Sequence, residues 1–148
     1  MKILFLNPPR YQERLTEHFV IRYNVSRFSR GVDIVYGVTP PTELATLAAV
    51  VARQHSVGII DANADNFLPR EVYRKILEEK PDYLVVKAGD STLLDDLQYY
   101  YFAEGVGIKS IVWEDILAPV YGERMIVDFK IRRLLWGEPE ENIYRFFN

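Results

Sequence analysis

The chain has no cysteine. Disulfides, thiolate zinc sites and any protein-ligated iron–sulfur cluster are therefore excluded within it. Histidine is nearly missing too: only His18 and His55 occur, and no nucleophile–base arrangement is recognisable around them. No stretch approaches the ~18 uninterrupted apolar residues of a membrane span. Met1-Lys2-Ile3-Leu4 runs directly into a strand without the cleavage pattern of a signal peptide, so a cytoplasmic protein with no membrane partner is expected. An excess of positive charge is also absent. The net charge of −3 and pI near 5.4 argue against a dedicated nucleic-acid surface. What the chain does have is 49% apolar and 14% aromatic residues in 148 positions, which excludes disorder and fits one domain, residues 1–148, with a full core. A domain of this size buries roughly 70% of the surface its unfolded chain exposes.

The organising element is the start. Lys2-Ile3-Leu4-Phe5-Leu6 reads as a strand buried on both faces, and Asn7-Pro8-Pro9 ends it, because proline brings no N–H to a ladder. Residues 10–39 then form a long flap between two regular elements. Within it Arg10, Arg14, Arg22, Arg27 and Arg30 outnumber Glu13, Glu17 and Asp33, and Tyr11, Phe19, Tyr23, Phe28 and Tyr36 supply rings. A loop this long is usually functional or mobile, and the rings suit attachment to the body, a lid over a ligand, or a protein partner docking through 10–38.

Pro40-Pro41 opens a helix with an inward stripe at Leu44, Leu47, Ala48 and Val51. Strands are expected at 56–60, 83–86, 110–113 and 133–136. Helices are expected from Pro69 to about Glu79, with Val72, Ile76 and Leu77 inward, from Ser91 to about Glu104, and from Pro139 onward. Residues 114–122 read as irregular, and 125–131 fit helix or strand equally. Strands alternating with helices predict an α/β, flavodoxin-like or Rossmann-like doubly wound parallel sheet of five strands in the order 2-1-3-4-5.

In such a sheet ligands sit outside the carboxyl ends of the strands. The candidate residues there are Asn7, Pro8 and Pro9 after the first strand, and Asp61 and Asn63 after the second. Gly89, Ser91, Thr92 and Leu93 follow the third, Trp113 and Glu114 the fourth, Gly137 and Glu138 the fifth. Each polar member also has a structural role open to it: turn formation for Asp61 and Asn63, helix capping for Ser91, a favoured charge near a helix N-terminus for Glu138. A dinucleotide site is disfavoured, since two prolines replace the glycine-rich turn and its N–H donors. A receiver-domain acidic cluster and a Ser/Thr-rich flavin phosphate loop are missing from the same place.

The segments Ile3-Leu4-Phe5-Leu6-Asn7-Pro8-Pro9, Pro40-Pro41-Thr42-Glu43-Leu44-Ala45 and Val57-Gly58-Ile59-Ile60-Asp61-Ala62, with Lys80-Pro81-Asp82-Tyr83 and Gly137-Glu138-Pro139-Glu140, occur in that order. Together they resemble the cobalamin-binding-type N-terminal domain of class B radical SAM enzymes, over nearly the whole chain. The resemblance implies an accessory domain that places a corrinoid or substrate against a radical SAM barrel absent from this chain. Its barrel, not this domain, would carry the iron–sulfur cluster, so no catalytic activity is expected of this chain alone. The implied cofactor is cobalamin, held without a histidine on cobalt, because the Asp-x-His-x-x-Gly motif is missing. Ser91-Thr92-Leu93 matches the Ser-x-Leu part of that motif. Where the pattern has two glycines after strand four, letting the corrin's nucleotide tail pass close to the backbone, this chain has Trp113-Glu114. The alternative is a cofactor-less protein-interaction domain of the same fold, which the flap and the Tyr99-Tyr100-Tyr101-Phe102 run favour.

Overall fold

The computed structural model describes residues 1–9, 11–15, 20–24, 41–89 and 92–148, with backbone alone for 11–15 and 20–24. Its body is a five-stranded, all-parallel sheet of β1 (Lys2–Asn7), β4 (Ser56–Asp61), β5 (Tyr83–Lys87), β6 (Lys109–Trp113) and β7 (Leu134–Leu135). The order β4-β1-β5-β6-β7 is the expected 2-1-3-4-5. β1 is central, as its composition requires: Ile3, Leu4, Phe5 and Leu6 are all at most 1% exposed.

Side-chain alternation along the strands splits the core into two layers. On one face Ile3, Phe5, Val85, Ile111 and Trp113 meet α1 (Thr42–Val51) and α5 (Pro139–Phe147). On the other, Leu4, Leu6, Leu84, Val86 and Val112 meet α2 (Pro69–Glu79), α3 (Leu93–Gly105) and α4 (Ala118–Asp128). The change of face between α1 and α2 puts the switch point between β1 and β5, where strand order reverses.

Several expectations change in detail. Part of the flap is regular: β2 (Tyr11–Leu15) and β3 (Val20–Asn24) pair antiparallel as a separate two-stranded sheet. The rest of the flap, including His18, lies outside the described residues. Of residues 114–122, read as irregular, 114–117 are so but 118–122 begin α4; of the ambiguous residues 125–131, those to Asp128 continue the helix and 129–131 lie beyond its end. Proline is tolerated there because it stands in the first turn. Leu77 is not inward but 47% exposed, while Val72 and Ile76 carry the inner face of α2. Glu71 turns back to accept the Leu68 N–H at 2.8 Å, which satisfies a donor at the head of the helix. In the tyrosine run Tyr99 joins Tyr100 in the core. Tyr100 Oη accepts the Arg132 N–H at 2.8 Å, and Tyr101 Oη donates to the Phe129 carbonyl at 2.6 Å, so two rings of the run tie α3 to the segment after α4.

Candidate functional site

At the carboxyl ends of β1 and β4 the chain clamps itself. Asn7 and Asp61 are register partners, the Asn7 amide donates to Asp61 Oδ1 at 2.8 Å, and the Ala62 N–H donates to the Asn7 carbonyl at 3.0 Å. The same Asp61 oxygen accepts the Ala64 N–H at 3.1 Å, which makes it the turn former that its sequence position allows. Asn63 is buried beside it, as is Pro8, while Pro9 is half-buried.

After β5, the buried carboxylate of Asp96 on α3 receives the Gly89 N–H at 2.9 Å and the Thr92 hydroxyl at 2.7 Å. Thr92 is thus turned toward its own helix, and Leu93 is buried in the layer beneath. Ser91 lies outside the described residues. A polar hollow of about 300 Å³ opens here, bordered by Pro9, Pro69, Thr92, Asp95 and Tyr99. It is large enough for a small polar molecule.

After β6, successive residues point to opposite faces and take opposite roles. Glu114, 1% exposed, turns to α4 and accepts three N–H groups: Ile116 at 2.9 Å, Leu117 at 2.7 Å and Ala118 at 2.6 Å. It caps a helix whose own N-cap residue, Leu117, has no side-chain acceptor to offer. Trp113, also 1% exposed, turns the other way and fills the layer beneath the carboxyl edge on the side of α1 and α5. Its indole N–H donates to Asp115.

One participant was not among the candidates. Lys87, at the end of β5, is the register partner of Trp113, and its Nζ lies 3.7 Å from the centroid of the Trp113 ring. Its side chain is only 13% exposed and forms ion pairs with Glu43, in the first turn of α1, and with Asp115 at 3.5 Å. A cation over an indole face, held by two carboxylates, closes the edge above the tryptophan. The signal was present in period two: Tyr83, Val85 and Lys87 share a face, and only the β5–β6 register shows that Trp113 lies on it.

After β7, Gly137 adopts a positive φ of 78° that favours glycine, and Glu138 is exposed at the head of α5 without capping it. His55 stands at the opposite end of β4 and approaches the Phe147 carbonyl through Nε2 at 3.3 Å, in keeping with a structural histidine. Among the described residues no group of three or more histidines and carboxylates could hold a metal ion. Likewise no helix among them is long and apolar enough to cross a membrane.

Fold and edge together define a doubly wound, flavodoxin-like α/β domain with its switch point between β1 and β5. Compared with protein-family models, curated proteins and solved structures, the chain matches none.

Proposed function

We propose that this chain is a non-catalytic accessory domain that works beside a radical SAM barrel, in the cofactor-less form of the cobalamin-binding-type fold. The resemblance of five segments in order supplies the class. The form rests on one observation: Trp113 is wholly buried in the layer that α1 and α5 form on one face of the sheet, beneath the clamp of Lys87, Glu43 and Asp115. A cobalamin nucleotide tail would have to pass this strand end close to the backbone, and the space beside it is occupied by the chain's own largest side chain. The residues present do not fit the tail. Asp61, Thr92 and Glu114 are moreover engaged in hydrogen bonds that shape the loops themselves. The carboxyl edge is left as a surface to be presented to another protein or to a small polar substrate, and the hollow bordered by Pro9, Thr92 and Asp95 favours the latter as a second reading.

The test is gel filtration of the pure chain with hydroxocobalamin. Elution of the corrinoid apart from the protein is expected. Co-elution at one per chain would instead establish the corrinoid-placing form of the same domain.

A further inference from the structure

Away from the carboxyl edge, the sheet ends sideways at β7, and among the described residues no strand lies beyond it. Arg133 and Leu135 turn their carbonyls to β6, accepting the Val112 and Glu114 N–H groups at 2.9 and 3.2 Å. Backbone groups alternate sides along a strand, so Leu134 between them turns its N–H and C=O outward. This edge strand is only two residues long and offers an added strand one outward N–H and one outward C=O, so the rest of the contact must come from side chains around it.

The surroundings fit one. A hollow of about 580 Å³ runs along β7, floored by Ile111, Leu135 and Ile143 and walled by Trp136 and Phe146, which are 39% and 48% exposed. Trp136 also borders a second hollow of about 370 Å³ along α4. Exposed aromatic side chains around a hollow are typical of binding surfaces. The rim is positive. Arg132 and Arg133 share the single carboxylate of Glu104, at 3.5 and 2.8 Å, the Arg132 side chain is 77% exposed, and no acid lines the larger hollow.

We propose that the β7 edge binds an extended, acidic strand of a partner protein. The strand pairs with the backbone of Leu134, seats an apolar side chain against Trp136 and Phe146, and sets a carboxylate on Arg132. A second copy of this chain fits less well, because it would bring its own arginine pair to the same rim. The hollow reaches Gly137 at the carboxyl end of β7, but the strand pairing at Leu134 does not rest on whether a corrinoid binds over the other strand ends.

The experiment is amide hydrogen exchange on the ¹⁵N-labelled chain, with two blocked peptides as probes: Asp-Val-Thr-Phe-Thr-Val-Asp and its counterpart with lysine at both ends. At saturation the acidic peptide should slow exchange of the Leu134 amide by about tenfold or more, while the lysine peptide leaves it unchanged. Arg132→Glu, at an exposed position where folding is readily confirmed from the amide spectrum, should reverse that preference. Unchanged Leu134 exchange with both peptides would overturn the proposal, as would equal protection by the two. Leu134 protection without peptide, in a particle of twice the chain's mass by sedimentation, would give the edge to a second copy and overturn it too.

Discussion

Replacing Glu114 with alanine removes at one stroke the acceptor for three backbone N–H groups at the start of α4. The helix cannot replace it, since Leu117 has no capping oxygen and Pro119 has already taken the position where a missing N–H does no harm. A hydrogen bond to a charged acceptor is worth about 1.5–3 kcal/mol, and loss of an N-cap typically costs about 1 kcal/mol. The three donors share two oxygens and are not additive, so a loss of about 3 kcal/mol is expected rather than the sum. For a chain of this length that corresponds to a fall in Tm of roughly 6–12 °C. Glu114→Gln keeps one carbonyl oxygen but turns an amide N–H₂ toward N–H donors, and should fall between the two. Urea titration followed by far-UV circular dichroism measures both, with amide exchange in α4 showing where the loss lies. A Glu114→Ala variant within about 1 kcal/mol of wild type, with α4 exchange unchanged, would refute the capping role.

At the other end of the sheet, Lys2 Nζ donates to Glu79 at 2.6 Å, and this hydrogen bond and charge hold the Glu79 carboxyl below its ordinary range. Because the folded pKa lies under the unfolded one, the pair adds stability above the unfolded value and loses it as pH falls through the folded one. In Lys2→Met the Glu79 titration followed by NMR should move up to the usual carboxylate range, and an unmoved titration would contradict the assignment. Lys87→Met removes the cation above Trp113 and should cost about 1 kcal/mol in urea titration while the indole stays buried; exposure of Trp113 to fluorescence quenchers would show that Lys87 holds it in place. The purified chain, given iron, sulfide and reductant, should not cleave S-adenosylmethionine. Cleavage would end the accessory-domain reading.

Much of this fold was readable in one dimension because its boundaries are written in proline and in apolar runs. Pro69 starts α2 in its first turn, and Lys80, with a φ of 46°, ends it before Pro81, so both bounds of that helix could be anticipated. Likewise Leu44, Leu47, Ala48 and Val51 all face inward as their spacing requires. What could not be read depended on contacts distant in sequence or on mixed local signals. α4 takes its cap from Glu114 in the preceding loop, carries Pro119 and Gly122 in its first turns, and exposes Val120 and Val127, each 72%, so neither caps nor periodicity mark it. Strands β2 and β3 include Glu13, Arg14 and Arg22 and show no clean alternation. At the site, Asp61 as a turn former was anticipated, and Trp113 was singled out. Its partner Lys87 was missed, because nothing near Lys87 in the chain reveals that the register of β5 against β6 lays it over the indole.

The claim that Trp113 fills the space a corrinoid tail would need is tested most directly by the visible spectrum of hydroxocobalamin and of methylcobalamin, titrated with the wild-type chain and with Trp113→Gly. Removing a buried tryptophan costs roughly 3–5 kcal/mol, so the variant is first shown to be folded at the temperature used. The account predicts free-cofactor spectra with the wild type and a saturable change with the variant, one unaffected by further His18→Ala and His55→Ala substitution. A saturable change with the wild-type chain, equal to that of Trp113→Gly, would contradict it.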